Sequence, residues 1–167
     1  MRSLITIDGP AGAGKTTLAG LIGEGLSKDG REVLTVHMDD LYNGWEDALG
    51  ESLSQSLRAI IDSFFAGEEL MVPQYNWLNE EYGTPQYFPA PEILLLEGVG
   101  SGQRITRERA TIKLWVDAPL DLAFERVMQR DGRELYEEMR RWQLLESAHF
   151  QIEETKSAAD YRVKSAP

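Results

Sequence analysis

The chain has 167 residues, which suits a single domain, residues 1–167, around one hydrophobic core. Its formal net charge of −11 repels nucleic-acid backbones and anionic membranes, so we expect neither as a partner, and its lack of cysteine excludes disulfides and thiolate metal sites. The first apolar run, 4–7, is far too short for a signal peptide or a membrane span, so we expect a cytoplasmic protein, either monomeric or homodimeric. Any anion-binding site in so acidic a chain has to be built locally.

The first elements predict a parallel sheet. A short apolar run predicts a buried strand at 3–8, apolar residues at helical spacing predict a helix at 16–27, and a second strand follows at 32–38. A strand, a helix and a strand in this order form a βαβ unit, whose strands are parallel. The residues that define the helical spacing are Leu18, Leu21, Ile22 and Leu26.

The rest of the chain continues this alternation. The spacing of apolar residues predicts helices at 49–64, 119–130 and 134–156, and strands at 92–98, 111–117 and 160–165. Leu120, Phe124 and Val127 define one face of the helix that begins at Pro119. Five strands alternating with helices predict a three-layer α/β/α sandwich.

Residues 73–91 interrupt the alternation. Because proline removes the donor that a helix or a central strand needs, the four prolines in this stretch predict an ordered loop or an edge hairpin. Long loops inside compact domains often face a substrate, although a plain connection is the alternative.

The sequence GPAGAGKT at 9–16 matches the phosphate-binding pattern G-x-x-x-x-G-K-[ST], directly after a predicted strand and before a predicted helix. Glycines allow successive N–H groups to point into one concavity, and the helix N-terminus adds its dipole. We expect Lys15 to reach the β- and γ-phosphates of ATP and the Thr16 hydroxyl to bind Mg²⁺. The predicted nucleotide-binding residues of this phosphate loop (9–17) are Gly9, Ala11, Gly12, Ala13, Gly14, Lys15, Thr16 and Thr17.

Other features narrow the class of phosphate chemistry. A GTPase switch needs an Asn-Lys-x-Asp motif to bind guanine, and the chain lacks this motif. The chain has one match to the D-x-x-G pattern of GTPases, at 47–50, but this match does not end an apolar strand. A mechanical ATPase needs a longer chain. A hydrolase and a small-molecule kinase remain.

Several acidic residues follow predicted strands. Asp39 and Asp40 end the second strand, beside the crevice where open α/β sheets bind ligands, and a carboxylate there can accept the proton of an acceptor hydroxyl, or else cap a helix. Glu97 and Asp117 each end a later strand, and either is a candidate for the magnesium shell. His37 is expected to be packed or hydrogen-bonded rather than catalytic.

Arginines cluster between 126 and 141. Arg126 and Arg130 are four residues apart and share a helix face, and Arg133 follows a glycine. Arginines in this arrangement can close over phosphates and exclude water, which favours transfer over hydrolysis. Arg140 and Arg141 are interpreted as a solvated helix face.

Together these motifs resemble the uridine kinase family of P-loop nucleoside kinases over nearly the full chain. The resemblance rests on GPAGAGKTT, HMDDLY, VPQYNW and LLLEGV, in that order. It implies that Asp39 is the general base close to the metal, that Tyr42 and Tyr75 face the acceptor, and that Glu97 rather than Asp117 completes the magnesium shell with Thr16. Trp77 lies in the same block as Tyr75 and is therefore also predicted to contact the substrate.

The segment KLWVDAPLDLAFERVMQRDGREL resembles the strand, helix and lid of the same family. This implies that Arg130 and Arg133 contact the phosphates from a short lid at about 126–141, and that Arg126 contacts the acceptor or a phosphate. The implied fold is the P-loop NTPase fold with five parallel strands in the order 2-3-1-4-5.

The acceptor-facing blocks depart from the family. Asn76 and Trp77 replace an Asp-Phe pair, and Glu80 replaces the histidine that reads the pyrimidine. We therefore predict an ATP- and Mg²⁺-dependent kinase that phosphorylates a hydroxyl of a small acceptor such as uridine or cytidine. The alternatives are a cytidylate-like nucleoside monophosphate kinase, since ITIDGPAGAGKTTLA also resembles that family, and a nucleotide-binding regulatory ATPase.

Overall fold

Sixteen helices and strands occur along residues 1–165, the part of the chain that the computed structural model describes. They are β1 Ser3–Asp8, α1 Lys15–Lys28, β2 Val33–His37, α2 Met38–Leu41, α3 Glu51–Ala66, β3 Leu70–Val72, β4 Tyr75–Asn76, β5 Glu81–Tyr82, β6 Gln86–Phe88, β7 Ile93–Glu97, α4 Arg104–Arg107, β8 Ile112–Asp117, α5 Leu120–Asp131, α6 Tyr136–Glu153, α7 Thr155–Ala158 and β9 Tyr161–Lys164. A 3₁₀ turn, Arg133–Leu135, joins α5 to α6. None of these helices is both long and apolar enough to cross a membrane.

Five strands form one parallel sheet in the order β2-β7-β1-β8-β9. Counted along the chain among themselves, these strands have the order 2-3-1-4-5, as predicted. The register pairs Ile7 with Glu97 and His37 with Glu97, so the carboxyl ends of β1, β2 and β7 lie side by side. Ligands bind at this edge of open α/β sheets, and β1 leads from it into the phosphate loop.

The sheet has a hydrophobic core on each face because successive side chains of a strand point to opposite sides. Leu4, Leu94 and Leu96 belong to the larger core, which includes buried residues of α3, α5 and α6. Ile5, Ile7 and Leu95 belong to the smaller core under α1. The chain length led to the expectation of one core, but the sheet separates two, and these make the three layers that the alternation of elements predicts.

The helix predictions need three corrections. Leu21 and Leu120 fit the helical spacing but are 65% and 53% exposed. Leu21 lies on the outer side of α1, and Leu120 is the first residue of α5, before that helix reaches the core. The helix predicted at 134–156 is interrupted by Glu154, whose φ of 55° is left-handed and ends α6.

The proline-rich stretch 73–91 belongs to an ordered hairpin whose two ladders are separate from the five-stranded sheet, so the expected order is present but the hairpin does not extend an edge of that sheet. β3 pairs antiparallel with β6, and β4 pairs antiparallel with β5, so two short ladders lie one inside the other. The Tyr82 hydroxyl donates to the Leu41 carbonyl at 2.7 Å, which ties the hairpin to α2.

Candidate active site

The phosphate loop joins β1 to α1 and requires glycine at two close approaches. A Cβ at Gly9 would lie 2.3 Å from the carbonyl oxygen of Val116, and one at Gly12 would lie 2.1 Å from that of Ala123. Both glycines also have positive φ, which side-chain-bearing residues rarely adopt. Gly14, with φ of 100°, precedes the first turn of α1, whose free N–H groups favour an anion.

The Lys15 side chain folds back over the phosphate loop. Its Nζ donates to the Pro10 carbonyl oxygen at 2.8 Å, and the residue is 7% exposed. Burial lowers the pKa of Lys15, while the charges of Asp8 and Glu97 oppose that shift. The structure therefore holds a largely desolvated ammonium group inside the loop where a polyphosphate is expected.

Thr16, Glu97 and His37 form one hydrogen-bonded chain. The Thr16 hydroxyl donates to Glu97 Oε1 at 3.1 Å, and Glu97 Oε2 lies 2.6 Å from His37 Nδ1. This hydrogen bond raises the pKa of His37. Asp117, the alternative to Glu97, instead accepts from Lys156 Nζ at 2.8 Å, which lowers the pKa of Asp117. The structure thus brings Glu97, not Asp117, to the predicted metal-binding hydroxyl.

Asp39 lies in the first turn of α2, where β2 ends. The residue is solvent-accessible, yet the surrounding protein partly desolvates its carboxyl and raises its pKa, with a further rise from the charge of Glu97 and an opposing effect from Lys15 and Arg130. These charges act on one another because the four groups surround one region beside the phosphate loop. A carboxylate more basic than usual in that place is suited to accept a proton.

The three lid arginines differ in their surroundings. Arg126 Nη1 donates to the Gly12 carbonyl at 3.4 Å and to Ser165 Oγ at 2.5 Å, so it contacts the phosphate loop. Arg130 pairs with its neighbour Asp131 at 2.6 Å. Arg133 is an exposed side chain that pairs with Glu125 at 3.5 Å, and none of its hydrogen bonds or ion pairs within residues 1–165 reaches the phosphate loop. Its predicted phosphate contact would require the lid to move.

The predicted acceptor-side aromatics divide into a buried one and two that line a cavity. Tyr42 is 2% exposed, and its hydroxyl donates to the Val99 carbonyl at 2.6 Å. Its ring makes an edge-to-face contact with Trp77, so Tyr42 supports Trp77 rather than facing an acceptor. Tyr75 and Trp77 line an open cavity of about 800 Å³. The Trp77 indole N–H donates to the Asp39 carbonyl at 3.0 Å, which places the cavity next to the candidate base.

Two buried carboxyl groups beside the phosphate loop were not among the predicted site residues. Asp8 accepts from the amides of Gly9 and Gly102, both at 2.8 Å, and burial raises its pKa to about 6. Glu146, 1% exposed, accepts from the Ala11 amide at 3.1 Å, and burial raises its pKa to about 7. The strand-end rule applied to Glu97 would have found Asp8, whereas nothing local distinguishes Glu146 from the other acids of α6.

We expect Glu146→Gln to flatten the dependence of stability on pH. Because burial raises the pKa of Glu146 from 4.5 to about 7, its stabilising contribution is complete below pH 4.5 and is lost as pH rises through 7. The unfolding free energy of the variant relative to the parent should rise by about 2 kcal/mol between pH 5 and pH 8. Urea unfolding at several pH values measures this difference. Glu24→Gln, at an exposed position of α1, is the control. If the unfolding free energies of the parent and of Glu146→Gln changed in parallel with pH, the raised pKa would not belong to Glu146.

A parallel 2-3-1-4-5 sheet with a glycine-rich strand-to-helix loop, a buried lysine and a strand-end glutamate defines the class of P-loop kinase folds. A solved structure described as a possible uridine kinase from Bacillus stearothermophilus has this fold, with a TM-score of 0.72 at 19% identity, covering 97% of this chain and 88% of that one. A fructose transport system kinase from Silicibacter sp. TM1040, described as putative, is similar at a TM-score of 0.56 and 16% identity, over 77% and 71% of the two chains.

Sequence comparison leads to the same class. A uridine kinase from Borrelia duttonii is 27% identical in an alignment of 176 positions, gaps included, that covers 97% of this chain and 80% of that one. A uridine kinase from Mannheimia succiniciproducens is 25% identical over 78% and 68% of the two chains, and a cytidylate kinase from Methanococcoides burtonii is 26% identical over 77% and 63%. No family model matches the chain. The resemblance to the uridine kinase-like P-loop kinases is therefore confirmed.

Proposed function

We propose that this protein transfers the γ-phosphoryl group of ATP to a hydroxyl of a small acceptor, with a nucleoside as the leading candidate. The observation that carries the proposal is the convergence of Lys15, Thr16, Glu97 and Asp39 beside the glycine loop, where all four are linked by a direct contact or by mutual charge effects. Uridine kinases among the relatives support a nucleoside acceptor.

In the proposed reaction the acceptor oxygen forms a bond to the γ-phosphorus, and the bond from that phosphorus to the β–γ bridging oxygen breaks, which releases ADP. The hydroxyl proton passes to a carboxylate oxygen of Asp39. Lys15 and Arg130 stabilise the negative charge that develops on the transferring group. Arg126 and, after lid movement, Arg133 would add to this stabilisation.

The residues present fit a magnesium ion. Mg²⁺ takes oxygen ligands and keeps several from water and substrate phosphates, and Thr16 Oγ1 lies 3.1 Å from Glu97 Oε1. No group of three or more metal-ligating side chains occurs within residues 1–165, so the triphosphate would supply much of the coordination. When bound, the ion neutralises charge on the β- and γ-phosphates. A hydrogen bond from His37 fixes the position of the Glu97 carboxylate. The charge of Glu97 also acts on Asp39, so the two carboxyl groups lie near one another.

A nucleoside monophosphate kinase is the second candidate, because a cytidylate kinase is among the relatives. Such an enzyme has to bind the acceptor's phosphate with cations. The cavity beside Trp77 contains one arginine, Arg141, among its lining residues, which favours an acceptor without a phosphate group.

The direct test is a transfer assay with γ-labelled ATP, Mg²⁺ and, separately, uridine, cytidine and cytidine monophosphate. We expect a labelled nucleoside monophosphate and ADP release that depends on the acceptor. Labelled cytidine diphosphate as the main product would assign the second candidate instead. ADP release that no acceptor accelerates would argue against a kinase and leave a regulatory ATPase.

A further inference from the structure

The open cavity lined by Tyr75 and Trp77 has aromatic walls. Trp45, Tyr75 and Trp77 line it, and Trp77 is the centre of this group, with ring centroids 5.2 Å from Trp45 and 4.9 Å from Tyr75. Both pairs meet at steep angles of 62° and 73°. Rings at these angles and distances pack edge to face on one another, and all three also contribute to the wall of the cavity.

The same cavity is acidic. Four carboxylates, Glu46, Asp47, Glu80 and Glu138, line it together with one guanidinium, that of Arg141. None of the four makes an ion pair with another side chain of residues 1–165. Their charge is therefore not neutralised within the described protein, and it acts on whatever enters the cavity.

From these walls and charges we infer that the acceptor is an organic cation: a molecule with a positively charged ring or alkylated ammonium group and a free hydroxyl. Aromatic faces attract a cation through their quadrupole, and this is the chemistry by which aromatic cages bind quaternary ammonium groups. Carboxylates around the cage add long-range attraction, and they repel anions such as a nucleoside monophosphate.

The cavity is correctly placed for such an acceptor. The indole N–H of Trp77 donates to the backbone carbonyl of Asp39 at 3.0 Å, so this wall of the cavity is joined to the chain segment that carries the candidate base. Glu80, which lies three residues after Trp77, contributes one of the four carboxylates to the same wall.

This inference rests on the proposed function, since it names the acceptor of that reaction, and it replaces the neutral nucleoside with a cation as the acceptor. The test uses two probes of the same shape, 1-(2-hydroxyethyl)pyridinium and 2-phenylethanol, which differ in the charge of the ring. Each is titrated calorimetrically into the full chain saturated with Mg²⁺ and a non-hydrolysable ATP analogue, at low salt. We expect the cation to bind at least about tenfold more tightly than the neutral alcohol.

The double variant Glu80→Gln/Glu138→Gln should lose about tenfold in affinity for the cation and keep its affinity for 2-phenylethanol. Glu24→Gln/Glu68→Gln makes the same change of net charge at exposed sites outside the cavity and should leave both affinities unchanged. If the analogue binds but the neutral alcohol binds as well as the cation, or neither probe binds, the inference is overturned and the kinase proposal stands. If the analogue itself does not bind, both fail.

Discussion

Replacing Lys15 with alanine is expected to weaken the binding of Mg²⁺-complexed ATP by about 30- to 1000-fold and to abolish transfer. The ammonium group is buried, it donates to the Pro10 carbonyl, and burial lowers its pKa. A polyphosphate would replace this weak carbonyl contact with charge-assisted hydrogen bonds in a desolvated site, which together are worth about 2–4 kcal/mol. Isothermal titration with a non-hydrolysable ATP analogue measures the loss.

Two further variants make that result specific. Lys15→Met keeps most of the side-chain volume and should lose the same affinity, which separates charge from packing. Lys28→Ala, in the exposed last turn of α1, also removes one lysine and should bind the analogue as the parent does. If Lys15→Ala is folded by circular dichroism and binds the analogue with parental affinity, the phosphate loop is not the nucleotide site.

Asp39→Asn is expected to lower the transfer rate by about two to four decades while leaving nucleotide affinity nearly unchanged. Asparagine keeps the shape of the side chain but cannot accept the hydroxyl proton. The backbone carbonyl of residue 39, which accepts from Trp77 Nε1, is retained, so the cavity wall should stay in place. Single-turnover transfer with the acceptor found in the panel assay gives the rate of the chemical step.

Asp40→Asn is the matched control for this variant, because it makes the same change one residue further along α2. It should retain most of the activity. Since desolvation raises the pKa of Asp39, the parent should also lose activity as pH falls through that raised value, and protonation then imitates the Asn variant. An Asp39→Asn protein that transfers at the parental rate would remove Asp39 from the role of base.

Most of the fold was predictable because its determinants are local. Continuous apolar runs marked β1, β7 and β8, and a glycine-rich turn between a strand and a helix marked the phosphate loop. The strand order came from the resemblance to a known family and is confirmed by the sheet. The exposure of Leu21 and the break at Glu154 were missed, since spacing describes one helix and not its position on the sheet.

The candidate site was predictable to a different degree for each residue. Lys15 and Thr16 follow from the spacing of a single loop, which dictates where the helix and its N–H groups begin. The choice between Glu97 and Asp117 was open from strand ends alone, because both positions look alike in the sequence. The sheet places Glu97 of β7, and not Asp117 of β8, in hydrogen-bond contact with Thr16, and Asp117 is paired with Lys156, so Glu97 stays the predicted metal-supporting residue.

The amino-acid sequence by itself therefore determines the phosphate loop, the alternation of strands and helices, and the positions of the strand-end acids. Each of these features depends on residues only a few positions apart. Folding alone brings Glu146 to the Ala11 amide, 135 positions earlier in the chain, and turns Tyr42 into a buried support for Trp77. It also gathers the acids and aromatic rings of three separate segments around one cavity. Desolvation and summed charge act through space rather than along the chain, so they arise only once these segments are packed together.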